Sequence, residues 1–208
     1  MNKIPSSKIR FWMVVILAVL TAAPAGADGE ILRIITPSDR ERLDRHEAVR
    51  NEALTEARAG GAPEDVAVLE ALLAKPHLSF SDADLAGEWE CRTIKAGGLV
   101  PLVVYGWFRC RVNDDGAGWM LEKLSGSQRT KGRFFTDGDD RLIYLGSYFV
   151  AGDKPPPYRA GEDTDQTGYA FRTGENEWHI EFPLPARESR LDILEFRRTS
   201  APSRKNER

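Results

Sequence analysis

The feature that most narrows what this chain can fold into is a series of eight short apolar-rich runs between Gly87 and Arg198, each followed by a cluster of turn-forming residues. The runs cover approximately 87–96, 104–113, 118–125, 128–136, 141–151, 166–173, 177–184 and 190–198. As a set they are rich in Val, Ile, Tyr, Phe and Trp, side chains that suit a pleated and half-buried backbone. Between them stand Asn113-Asp114-Asp115-Gly116, Ser125-Gly126-Ser127, Asp137-Gly138-Asp139-Asp140 and Gly174-Glu175-Asn176, sequences fitted to hairpins. Each strand is therefore expected to pair with its neighbour in sequence. Eight antiparallel strands in that order lose their unpaired edges by closing, and the interior of such a ring holds either side chains or one small ligand. The expected fold is mainly β: an eight-stranded antiparallel up-and-down barrel over residues 81–199.

Upstream, residues 28–80 are expected to form a two-helix arm. The first helix begins at Thr36-Pro37-Ser38-Asp39, with Ser38 as the cap, and runs to Ala59, where Gly60-Gly61 stops it. Its apolar positions, Leu43, Val49, Ala53, Leu54 and Ala57, form a thin stripe amid dense charge, so it packs weakly or covers something. The second begins at Pro63, shows an apolar face of Val66, Leu69, Leu72 and Leu73, and ends at Pro76.

The first 27 residues have the pattern of a cleaved secretory signal. Lys3, Lys8 and Arg10 precede an apolar run from Phe11 to Ala23, and Ala25-Gly26-Ala27 is a small-x-small cleavage pattern. The run is shorter than the roughly 20 residues of a bilayer span and Pro24 breaks it, so no membrane span is expected after cleavage. Cleavage removes three cations and no acid, moving the formal charge from -3 to -6 and making nucleic acid an unsuitable partner. An oxidising compartment would pair the two cysteines. Strand alternation puts Trp89, Cys91 and Thr93 on one face and Phe108, Cys110 and Val112 on another, so a Cys91–Cys110 bond fits if the two positions face each other. With no Cys-x-x-Cys present, a structural bond is favoured over a redox role. A polar, disordered tail is expected over 200–208.

Two sets of residues carry resemblances. Gly87-Glu88-Trp89 opens the first strand and Arg197-Arg198 ends the last. This combination resembles the lipocalin and avidin-like barrels, in which a Gly-x-Trp packs under a basic side chain from the final strand and plugs one end. On that resemblance Gly87, Trp89, Arg197 and Arg198 are structural. Separately, Gly87-x-Trp89-x-Cys91-Arg92, Trp107-Phe108-x-Cys110-Arg111 and Leu121-Glu122-Lys123-x-x-Gly126-Ser127-Gln128-Arg129 are similar to a family of exported bacterial proteins described as domain of unknown function 4893. That resemblance would span most of 38–198. It implies a periplasmic setting and carries no catalytic residue over.

In an up-and-down barrel the loops 97–103, 125–128, 152–165 and 185–189 share one end, and 113–118, 137–140 and 174–176 share the other. The second set is short, acidic and at the same end as Trp89, which makes it the floor. The first set is the mouth, where binding is expected. There Lys123, Ser127, Gln128 and Arg129 are candidates for an anionic or hydrogen-bonding ligand, above a cavity expected to be lined by Phe, Tyr and Val. The plainer alternative is a solvated turn with cross-strand ion pairs. No metal or cofactor is expected: His46, His77 and His179 are scattered and read as surface or capping residues, and the Asp-rich turns do not match a calcium loop. No Gly-x-Ser-x-Gly elbow occurs, and Ser127 has no histidine near it in sequence. The expectation is a monomeric, non-enzymatic barrel that binds a small molecule or an envelope component. The alternatives are a protein-interaction or inhibitor module acting through loop 152–165 or the arm, and a hydrolase of unknown type.

Overall fold

The computed structural model describes residues 28–198, so the expected signal segment 1–27 and tail 200–208 lie outside the described residues. Among the described residues there are nine strands: β1 (Gly87–Gly98), β2 (Leu102–Val104), β3 (Phe108–Asp114), β4 (Trp119–Lys123), β5 (Gln128–Thr136), β6 (Arg141–Val150), β7 (Asp165–Arg172), β8 (Glu177–Pro183) and β9 (Ser189–Arg197). Every ladder from β3 to β9 joins sequence neighbours, and β9 returns to β1 from Glu90↔Arg197 to Gly98↔Ser189, closing the ring. The result is a closed antiparallel barrel of eight staves. The ninth strand arises because the expected run 104–113 is divided at Tyr105-Gly106-Trp107. β3 pairs with the first half of β1 and β2 with its second half, on the same edge.

One stave thus ends early and the β1–β2 hairpin stands up beyond it as an overhang. Gly98 lies at its turn with φ +101, a left-handed backbone that other residues adopt only under strain. A different device bends the wall between β5 and β6. Gly132 and Gly146 sit opposite each other, and a Cβ on Gly132 would come within 2.4 Å of the Gly146 Cα. The space that the two glycines leave is taken by the Tyr144 ring, whose hydroxyl is 2.7 Å from Thr130 Oγ1.

Inside, the lower barrel is filled. Trp178 stacks on Phe196 with centroids 3.7 Å apart and meets Trp89 and Phe134 edge-on, while Phe182 packs edge-on against Tyr144. Trp89 donates its indole N–H to the Leu85 carbonyl at 2.7 Å and lies under the Arg198 guanidinium at 4.4 Å. Arg198 also binds the carbonyls of Asp84 and Ala86, so the segment before β1 is pinned beneath the floor. Arg197 faces outward, over the Trp107 ring at 3.9 Å and against Glu90.

The cysteines are bonded, with Cα atoms 5.9 Å apart. They are diagonal rather than directly opposite: Cys91 pairs with Phe108 and Cys110 with Trp89. The bond ties β1 to β3 at the level of the filled core. Replacing both cysteines with alanine is expected to cost about 3 kcal/mol, the chain-entropy value for a loop of this size. Urea unfolding should show that loss in the variant, with added reductant producing no further change.

The arm is four helices rather than two: α1 (Asp28–Ile34), α2 (Pro37–Asp44), α3 (His46–Gly60) and α4 (Pro63–Leu73). The expected first helix is interrupted at Arg45, and its cap is Thr36, whose hydroxyl accepts the Asp39 amide at 3.1 Å, not Ser38. The thin stripe of α3 is buried because the outer face of the barrel is apolar where α3 lies. Ala53, Leu54 and Ala57 pack with Leu69 and Leu72 of α4 on outward-facing Ile94, Ala96, Leu191 and Ile193. Farther round, Ile31 and Leu43 cover Ile143 and Leu145. The helices are a sleeve on the outer wall, leaving both ends of the barrel to the loops.

Candidate functional site

Above the aromatic fill the inward positions change character. Alternation along β1 carries Trp89, Cys91, Thr93 and Lys95 to the inside in turn, so the same strand that builds the apolar core delivers a hydroxyl and an ammonium near the rim. β4 does likewise, with Leu121 in the core and Lys123 above it. From the other side come Gln128 and Thr130 of β5, Tyr148 of β6, Gln166 of β7 and Asp192 of β9.

The cavities here are small and polar. One of about 40 Å³ is bordered by Thr93, Lys123, Gln128, Arg129, Gln166 and Asp192. Another of about 100 Å³ is bordered by Lys123, Ser127 and Gln128 together with Tyr105 and Phe108. The expected cavity lined by Phe, Tyr and Val is therefore present only as a shallow cleft in which Tyr105, Phe108, Tyr148 and Phe182 alternate with polar side chains. Aromatic side chains occupy the depth themselves, since an eight-stranded ring is narrow enough for them to fill.

Lys123 is the unusual member. Its side chain is only 6 % exposed, yet its ammonium has one hydrogen-bond acceptor among the described residues, the Thr93 hydroxyl at 3.2 Å. It also lies 4.6 Å from the centre of the Phe108 ring. No described carboxylate is within ion-pair distance of it. Burial, reinforced by the positive charges of Lys95 and Arg129 against the attraction of Asp192, lowers its pKa from 10.5 to about 8. Lys95, by contrast, is compensated: its ammonium reaches Asp192 at 3.0 Å and Glu188 at 3.4 Å. Burial alone would depress it, but those two acids raise it instead. Asp192 is raised by its own burial, although Lys95 and the Ser189 hydroxyl hold it.

Two further groups face the cleft unspent. Arg129 uses its Nε on the Gly126 carbonyl at 3.1 Å and has no ion-pair partner among the described residues. Gln166 Oε1 is buried without a hydrogen-bond partner. The four candidate residues Lys123, Ser127, Gln128 and Arg129 thus come to one place, Ser127 at the exposed tip. Of the cross-strand ion pairs that a plain turn would have, Lys131 with Glu122 is present lower down, but neither Lys123 nor Arg129 joins one. Thr93, Lys95, Gln166 and Asp192 were not among the candidates. Lys95 and Thr93 were legible from alternation in the first run, whereas Gln166 and Asp192 required the closed ring.

Loop 152–165 departs from expectation only in its first part, which folds down the outer wall, where Ser147 donates to the Pro156 carbonyl and the Tyr158 hydroxyl donates to Asp39 of α2. Its end stays at the mouth, where Asp163 and Asp165 border a cavity with Lys95, Gln128 and Asp192. Burial and the contact with Asp39 push the Tyr158 hydroxyl well above its ordinary range. Two of the histidines depart from the expected surface positions. His46 and His179 are buried under the sleeve, away from Ser127, and both point at Glu181 on the outer face of β8. His77 is exposed, as expected, and stacks on Phe171. Among the described residues no group of His, Cys, Asp and Glu could hold a metal ion, and no helix is long and apolar enough to cross a membrane.

A family model described as "Domain of unknown function (DUF4893)" matches residues 32–196. No curated protein and no solved structure matches the chain.

Proposed function

We propose, for a chain that belongs to the DUF4893 family, that the barrel is an exported, periplasmic, non-enzymatic protein that binds a small molecule or envelope component carrying an anionic group at its mouth. The reading of export rests on the basic, apolar and small-residue succession of residues 1–27, and the Cys91–Cys110 bond accords with an oxidising compartment. The single observation that carries the binding reading is Lys123, a buried ammonium with one neutral acceptor beside an open cleft. Burying a cation is costly unless it is paired, and the described residues supply no carboxylate for it. An anion would supply the missing partner. Arg129 and Gln128 add donors on the same side, and Gln166 Oε1 offers an acceptor for a polar hydrogen of the ligand. What supports a lipocalin-like reading is the closure of the barrel and the contact of Trp89 with Arg198, not a deep pocket.

The test is titration with acetate and with inorganic phosphate, followed by amide shifts in nuclear magnetic resonance spectra. Saturable shifts are expected at Gln128, Arg129 and Thr130, weakened at least tenfold in Lys123→Met. Saturable binding unaffected by Lys123→Met would overturn the assignment.

A further inference from the structure

The cleft at Lys123 does not end there. Its 100 Å³ portion shares Lys95 and Tyr105 with a neighbouring groove of about 250 Å³ that runs under the β1–β2 overhang and is bordered by Leu99, Val100 and Val103. The inner and outer faces of this hairpin are treated differently. Outward-facing Ile94, Ala96 and Leu102 are buried beneath α3 and α4, which fixes the overhang in place. On the groove side, Leu99 is 82 % exposed, Val100 52 % and Tyr105 40 %, three of the six large apolar side chains that stand most open to solvent among the described residues. A backbone held in place that displays adjacent apolar side chains along an open groove marks a contact surface. The groove adjoins the cleft at Lys95 and Tyr105, and Lys123, which among the described buried lysines has no acid partner, borders the cleft itself.

We propose that the mouth binds a single-chain anionic amphiphile, its head group on Lys123 and Gln128 and its hydrocarbon chain along Tyr105, Val103 and Leu99. This inference rests on the anion reading and adds the class of ligand. Two independent observations converge on it: an unmatched cation at one end of a continuous groove and an uncovered apolar strip at the other. A compact polar anion would use the first and leave the second without purpose. The early end of the second stave is what makes the path possible. β2 stops at Val104 and β3 begins only at Phe108, so Tyr105 lies at the junction between cleft and groove.

The experiment uses the full chain, freed of bound lipid by passage over a hydrophobic resin, with isothermal titration of straight-chain carboxylates from acetate to decanoate below their micelle concentrations. Affinity is expected to rise about fourfold per methylene over the length of the groove, the factor for burying one CH₂. Leu99→Ser with Val100→Ser, both at exposed positions, should flatten that dependence and leave acetate binding unchanged. Lys123→Met should weaken every member of the series. If acetate binds with no dependence on chain length, the amphiphile is excluded and the anion site stands. Should no carboxylate bind at all, both readings fall. Binding to vesicles of anionic phospholipid without binding to monomeric decanoate would also overturn the proposal, making the overhang a membrane contact instead.

Discussion

Glu181→Ala is expected to destabilise the protein by about 3–5 kcal/mol, the range for breaking a buried charge cluster by removing one member. Glu181 is 1 % exposed and lies between the barrel wall and α3. Its carboxylate receives His46 Nε2 at 2.7 Å and Arg50 Nε at 2.9 Å, with His179 Nε2 at 3.5 Å outside hydrogen-bond alignment. Burial alone would raise its pKa, but His179, His46 and Arg50 together hold it below the ordinary carboxylate value. Without it, Arg50 and two buried imidazoles face one another across an apolar seam. For a chain of this size the loss corresponds to a fall in Tm of roughly 10 °C, readable by calorimetry. The pH dependence has a definite sign. Because the folded value lies below the ordinary 4.5, the stabilisation is complete above that pH and declines as pH falls below it. Glu181→Ala should therefore lose less stability than the parent protein on acidification. A variant as stable as the parent at pH 7 would show that the cluster does not hold the sleeve.

Lys123→Met should act in the opposite direction, stabilising the protein while weakening ligand binding. The Lys123 pKa falls from 10.5 unfolded to about 8 folded, so the folded state binds its proton less tightly than the unfolded state does. The cost is fully present below pH 8 and disappears as pH rises toward 10.5. Its magnitude at neutral pH is on the order of 3 kcal/mol. Methionine fills a similar volume without charge. Urea midpoints of the two proteins should therefore differ most at pH 7 and converge by pH 10. A constant gap across that interval would mean that the ammonium is not held out of water. Stability given up at one position in exchange for affinity is a recurring property of binding sites.

How far the sequence discloses this molecule can be judged from particular residues. The staves were legible because each has its own turn chemistry, and closure followed from their number. Trp89 and Cys91 pointed inward by simple alternation, and Lys123, Ser127, Gln128 and Arg129 were brought to one rim because a single hairpin carries them. Other features depend on distant partners and left no local sign. The division of the second stave at Gly106 is set by how β1 shares its edge between two strands. His46 and Glu181 approach each other only once the sleeve is docked, and their own neighbours in sequence give no hint of burial. The break at Arg45 that divides the arm into more helices has neither Gly nor Pro to mark it in the sequence. The filled interior could not be read because several inward aromatic residues are compatible with either a lining or a plug until the ring diameter is known.

The ring closes by joining its first stave to its last, Glu90 to Arg197 across 107 positions, and the sleeve is fastened to β8 through His46 and Glu181, 135 positions apart. During synthesis neither contact has a partner until β8 and β9 have emerged. Segments made earlier, α3 and β1 included, must wait with part of their apolar surface uncovered for these distant strands. A truncation that removes β9 would therefore leave an unclosed sheet edge on β1 and a sleeve without Leu191 and Ile193 beneath it, and the loss should be of the entire cooperative fold rather than of one strand.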